Sequence, residues 1–213
     1  MREWLRTFYH QLGDPIVPWT RIALALAVVP LAIAATQPLW MIHFKAPQYP
    51  NGLDLFVYTY TIAGGNGGID LPEINTLNHY VGMRALDPAE FAELDFIPFA
   101  MGALALLALR VAVIGDVRSL LDLAVLTGYF GIFSLGRFVY MLYTYGHNLD
   151  PRAAIHMDAF MPPIIGTKIM GNFTVSSWPQ AGTWLMTLFA MVVMGFAVWH
   201  TIRPRAPARA DAG

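Results

Sequence analysis

The chain of 213 residues contains no cysteine, and only 13% of its residues are charged. The missing cysteine excludes disulfides, thiolate metal clusters and a cysteine nucleophile. Soluble domains carry about 25% charged residues, so the low charge and the 56% of hydrophobic residues indicate a membrane protein. A formal net charge of −1 without a basic stripe argues against binding to nucleic acid.

Four apolar runs have the length of about 20 residues that a helix needs to cross a bilayer. They lie at residues 22–44, 96–114, 120–145 and 183–202. They predict an all-α membrane protein whose four-helix transmembrane domain, 22–202, carries two long extracytoplasmic loops, 45–95 and 146–182. Residues 1–21 are predicted to be a cytoplasmic interfacial segment and 203–213 a disordered cytoplasmic tail.

The positive charges predict the orientation in the membrane. The first apolar run is preceded by arginines, a second group lies between runs two and three, and a third follows run four: Arg2, Arg6, Arg21, Arg118, Arg203, Arg205 and Arg209. The long loops hold only Lys45, Arg84, Arg152 and Lys168. Because Lys and Arg are retained in the cytoplasm, we expect both termini inside and both long loops outside. A signal peptide cleaved before Thr36 is the alternative for the first run, and it also leaves both loops outside.

The first loop contains a predicted β-hairpin. Residues 53–62 alternate and are rich in β-branched and aromatic types, which predicts a strand. The glycine-rich turn at 64–68 and a returning strand at 69–74 would complete the hairpin. A helical turn at 75–83 would then place His79 and Met83 on one face, four residues apart.

Soft metal donors are concentrated in the two loops. The candidate ligands are His79, Met83, His147 and His156, with Met157 and Met161 near the last of them. Copper(I) favours thioether and imidazole donors, so a set without cysteine indicates copper rather than zinc. The alternative for each residue is structural: a histidine at the membrane interface, or a methionine that fills a gap in the packing.

The loops also carry an ordered set of motifs. These are Ala46-Pro47-Gln48-Tyr49-Pro50, Asn78-His79-Tyr80-Val81-Gly82-Met83, Tyr145-Gly146-His147-Asn148-Leu149-Asp150-Pro151, Pro162-Pro163 and Asn172-Phe173-Thr174. The set, within about residues 38–185, resembles a family of small four-span membrane proteins whose genes lie beside those for nitrous-oxide reductase and its copper-loading apparatus. The chain departs from the family pattern at Asn51, where a glutamate is common, and around His156, where a Gly-Met is common. His156 is therefore not a ligand required across the family.

Within the third apolar run, Arg137 is costly to bury, because ionised residues inside membranes usually face a protein interior or a wet cavity. We expect it to pair with a loop carboxylate such as Asp150, or to extend towards the headgroups. Small residues in the same run would let another helix approach closely: Gly128, Gly131, Ser134 and Gly136.

The resemblance implies an accessory role in copper-enzyme maturation in the bacterial inner membrane, with both termini cytoplasmic. The implied partners are membrane lipids and other membrane or periplasmic proteins of the nitrous-oxide reductase system. No catalytic motif points to an enzyme. One alternative is a structural subunit whose loops dock a membrane electron-transfer or transporter complex. Another is a component that passes electrons from quinol, which would need a cofactor of its partner because paired histidines for haem are absent from the spans.

The predicted orientation can be tested with single cysteines in this cysteine-free chain. Cysteines near Gly65 and at Trp178 should react with a membrane-impermeant maleimide in intact spheroplasts, because the loops are expected outside. Cysteines at Arg118 and Arg205 should react only after the membrane is opened. Labelling of position 118 in intact spheroplasts would contradict the orientation.

Overall fold

The computed structural model describes residues 12–89, 96–156, 158–170 and 172–203, and in these it shows a mixed α/β architecture. The helices are α1 (Pro18–Ala34), α2 (Asp70–Tyr80), α3 (Phe96–Ile114), α4 (Val117–His147) and α5 (Ala181–Ile202). The strands are β1 (Trp40–Ala46), β2 (Tyr49–Val57), β3 (Ile62–Gly64), β4 (Gly166–Met170) and β5 (Phe173–Pro179), and a 3₁₀ turn occupies Asn66–Gly68. The candidate ligand Met157, most of the predicted interfacial segment and all but the first residue of the predicted tail lie outside the described residues.

The predicted all-α fold with four membrane spans is wrong. Helices α3, α4 and α5 are long and apolar enough to cross a membrane, which indicates a membrane protein. The predicted first span, 22–44, instead divides into the 17-residue apolar helix α1 and strand β1. The helix ends at Ala34, shortly before Pro38, and the apolar residues beyond it alternate between buried and half-exposed. A short apolar run does not show by itself whether it forms a helix or a strand.

The strands form one antiparallel sheet in the order β3-β2-β1-β5-β4. Strand β1 lies at its centre and pairs with β2 from the first loop and with β5 from the second. The two predicted loops are therefore parts of one structure. The strand β5 of the second loop depends on a partner about 130 residues earlier in the chain, which no local sequence pattern specifies.

The predicted hairpin is only partly correct. Strand β2 pairs with β3, but the turn between them lies at 58–61, where the Tyr58 amide donates to the Thr61 carbonyl at 2.8 Å. The predicted returning strand at 69–74 is wrong, because helix α2 begins at Asp70. The buried Asp70 carboxylate accepts from the Asp54 amide and the Asn66 side chain, each at 2.8 Å, and so holds the helix start against the sheet.

The sheet covers one end of the apolar helices. Helix α1 packs against α3 and α5, and α4 packs against the same two helices. The inner face of the sheet is buried against them through Trp40, Ile42, Leu53, Leu55, Ile62, Val175 and Ser177. At the other end, Arg21 donates to the last carbonyls of α3, at Ala112 (2.6 Å) and Val113, and so ties α1 to α3.

The end of α4 offers a test of how tightly the second loop packs. A Cβ on Gly146 would lie 2.0 Å from the Phe160 carbonyl oxygen, and the Phe160 amide donates to the Gly146 carbonyl at 3.0 Å. Gly146→Ala should therefore destabilise the protein by about 1–3 kcal/mol. A Cβ on Gly136 of the same helix meets nothing within 4 Å, so Gly136→Ala should be neutral or stabilise by up to about 1 kcal/mol. Equal melting temperatures of the two variants in detergent would contradict this packing.

Candidate functional site

The segments around Gly82 and Asp150 interlock. The Asp150 amide donates to the Gly82 carbonyl at 2.8 Å, and the Ile155 amide donates to the Tyr80 carbonyl at 2.9 Å. Gly82 has a φ of +77°, and a Cβ there would lie 2.7 Å from the Asp150 carbonyl oxygen. Only glycine combines this backbone conformation with such a close approach. The two segments form the walls of a surface cleft.

This interloop cleft contains two of the four candidate ligands. Its first wall is His79, Tyr80, Gly82, Met83 and Arg84, and its second wall is the segment 148–154. His79 is exposed near the end of α2, whereas Met83 is half-buried. Asp150, which carries a carboxylate, lies in the second wall. An imidazole, a thioether and a carboxylate therefore share one concave surface.

The other two candidate histidines flank the second wall of the cleft without lining it. His147 ends α4, where its Nδ1 hydrogen-bonds the Tyr143 carbonyl at 2.9 Å and its ring stacks on Tyr143 with centroids 3.8 Å apart. His156 is exposed and follows Ile155, which anchors the wall to Tyr80. Met161 packs against the hydrophobic core and its carbonyl accepts from Lys168, so it serves as a packing residue in the structure.

Among the described residues, no group of three or more His, Cys, Asp or Glu side chains could hold a metal ion. The His79–Met83 pair is a different kind of donor set, because one of its two donors is a thioether. The cleft provides only a few metal donors and does not enclose a metal ion on all sides. Copper(I) accepts such a set, while structural zinc requires a closed tetrahedron.

Sequence reasoning missed a second histidine contact, on the outer face of the sheet. His43 lies in β1 opposite Asp54 of β2, and its Nδ1 is 2.6 Å from the Asp54 carboxylate. The imidazole covers Gly52, where a Cβ would be 2.1 Å from the ring. At the start of β2, Tyr49 donates a hydrogen bond to the Glu73 carboxylate, which raises the pKa of the Tyr49 phenol. No local pattern in the sequence specified this pairing, because β1 was predicted to be helical and its register with β2 shifts between Phe44 and Ala46.

Sequence reasoning also missed a cavity of about 380 Å³ beneath the sheet. Its walls are the inner sheet face and the inward sides of the four apolar helices, with Leu31, Trp40, Leu104, Phe138 and Phe189 among the lining residues. Met83 lines both this cavity and the interloop cleft. Met83 therefore lies between the surface cleft and the apolar interior.

The small residues of α4, which were expected to allow close helix packing, differ in how near other side chains come to them. At Gly128, a Cβ would lie 3.2 Å from the Met194 side chain of α5, so this glycine does allow close approach. At Gly131 and Gly136 a Cβ would meet nothing within 4 Å. Arg137 lines the cavity, with its guanidinium 5.6 Å from the Tyr140 ring centroid.

No family model, curated protein or solved structure matches this chain. The resemblance to the four-span proteins encoded beside nitrous-oxide reductase therefore depends on the loop motifs alone. Two of those motifs, Asn78–Met83 and Tyr145–Pro151, meet in the structure. The chemistry of the interloop cleft and of the cavity beneath it is the remaining basis for assigning a function.

Proposed function

We propose that this protein is a non-catalytic accessory protein of the bacterial inner membrane that handles copper during maturation of nitrous-oxide reductase. The observation that supports the proposal best is that His79 and Met83 line one cleft, which the second loop closes. Copper is the cargo in this proposal. The cleft lies beside the sheet end of the helices, where the positive-inside rule places the extracytoplasmic side.

The donor set suits transfer of a metal ion better than storage. Two soft donors bind copper(I) while leaving coordination positions open to an incoming ligand from a partner. His147 stands at the start of the second wall, and a backbone carbonyl fixes its Nδ1, which is the usual arrangement of a metal-binding imidazole. Its Nε2 is the nitrogen that could join a metal ion, and His156 at the far end of the wall is a further donor.

Copper uptake by the purified protein tests this proposal. In detergent and under reducing conditions, the protein should bind about one equivalent of copper(I). His79→Ala combined with Met83→Ala should abolish uptake, because it removes both soft donors of the cleft. Met191→Ala is the control, since Met191 is an exposed methionine on α5 away from the cleft. Uptake that persists in the double variant would place copper elsewhere, and no uptake by the wild type would reject the proposal.

A second candidate, a structural subunit that docks a membrane complex, is supported by the exposed edge of the sheet. Strand β4 is an edge strand. The surrounding apolar side chains are exposed, with Ile169 74%, Ile165 60% and Trp178 47% accessible. Edge strands with exposed apolar residues are sites at which another chain can add a strand.

Substitution at this edge separates the two candidates. Ile169→Glu should leave the melting temperature and copper uptake unchanged, because the side chain is exposed and away from the cleft. If β4 docks a partner, the same change should shift the protein from a larger complex to its own mass on a native gel of solubilised membranes. Asn51→Glu, at an exposed position of β2 that is separated from β4 by two strands, is the control for added charge. An unchanged complex in the Ile169 variant would exclude docking through this edge.

A further inference from the structure

Helix α4 directs much of its inward face towards the cavity instead of a neighbouring helix. In its first half the buried residues recur every three or four positions: Val117, Leu120, Leu123, Ala124 and Thr127. The same spacing continues through Phe130, Gly131, Ser134, Phe138 and Met141, but these residues line the cavity. Full burial returns only at Leu142. The cavity therefore occupies the place where α4 would otherwise pack.

A space of this size and character is suited to a ligand. Protein interiors contain few voids larger than a water molecule, and dry apolar cavities of about 150 Å³ already bind small apolar molecules. A volume of about 380 Å³ falls within the range of small-molecule sites. Its lining is almost wholly aliphatic and aromatic, which excludes a sugar or a nucleotide.

Two side chains on α4 provide hydrogen-bond donors at the cavity wall. The Ser134 hydroxyl is buried and has no hydrogen-bond partner among the described residues. Arg137 lies less than one helical turn further along, and its guanidinium carries five N–H donors, so it can serve an acceptor in the cavity in addition to its existing contacts. Both groups favour a ligand whose head carries oxygen acceptors.

The cavity reaches the lateral surface of the helices. Three of its lining residues are also exposed: Phe96 of α3, at 38%, and Gly131 and Leu135 of α4, the latter at 53%. Both helices are apolar enough to lie in a bilayer, so this opening faces lipid. The molecules that can enter from that side have long apolar chains, and acyl chains are the most abundant of them in a bilayer.

We propose that the cavity binds the acyl chain of a fatty acid or membrane lipid that enters between α3 and α4. The carboxyl or ester oxygens accept hydrogen bonds from Ser134 and Arg137. The chain extends along α4 towards Thr127, which lies ten residues from Arg137, or roughly 15 Å at 1.5 Å per residue. This site is separate from the interloop cleft, and the proposal does not depend on copper binding.

Two glycines of α4 give a matched test of the cavity. A Cβ at Gly131 or at Gly136 meets nothing within 4 Å, but only Gly131 lines the cavity. Delipidated protein in mild detergent is incubated with oleate, and the bound oleate is counted by native mass spectrometry. The wild type and Gly136→Phe should each retain one oleate, and Gly131→Phe should lose at least tenfold in apparent affinity. Ala190→Leu, which fills the cavity from α5, should weaken binding in the same direction.

The head group is tested with Ser134→Ala, which removes the donor but little volume. This variant should bind oleate roughly fivefold more weakly, as expected for the loss of one hydrogen bond. It should bind 1-octadecene, which has no oxygen, as the wild type does. Each variant is compared only if its melting temperature matches that of Gly136→Phe. Equal oleate binding by Gly131→Phe and Gly136→Phe would overturn the proposal, as would binding of a prenylquinone by wild-type protein that retains no oleate.

Discussion

The pairing of β1 with β5 is the interaction on which the rest of the structure depends. Strand β1 begins six residues after α1, and β5 ends two residues before α5, so their pairing fixes where two helices leave the sheet. The buried Trp40 indole donates to the Ser177 hydroxyl at 2.7 Å, and that hydroxyl donates to the Ile164 carbonyl at 3.0 Å. The Gln180 and Gly182 amides donate to the Leu39 and Pro38 carbonyls. These bonds hold the sheet over the helices and enclose the cavity.

The sequence was sufficient for the elements whose signal is local. The predicted runs 96–114, 120–145 and 183–202 correspond to α3, α4 and α5 to within three residues at each end. A continuous run of about 20 apolar residues is typical of a membrane-spanning helix, so its position can be seen in the sequence alone. The sheet depends on contacts between distant residues. The residues of β1 are apolar enough to continue a helix, and only a partner such as Ser177, more than 130 residues away, makes the extended form favourable.

The candidate site shows the same division, since His79 and Met83 do line one cleft, but not for the reason that the sequence suggested. His79 and Met83 were expected on one face of a helix, yet α2 ends at Tyr80 and Gly82 takes a positive φ, so helical spacing does not bring them together. They share the cleft because the segment around Asp150 closes against Gly82. The direction of His147 depends on its bond to the Tyr143 carbonyl, which no sequence pattern specified. The cavity could not be predicted, because an apolar side chain that lines a cavity has the same sequence signature as one that packs.

Met83 connects the two sites and limits what its substitution can show. Its side chain lines the interloop cleft on one side and the apolar cavity on the other. A thioether tolerates both surroundings, because it is flexible and polarizable and carries no charge. Truncation of Met83 therefore removes a soft donor and changes the wall of the cavity at the same time. His79 lines only the cleft and Gly131 only the cavity, so these two positions change one site without changing the other.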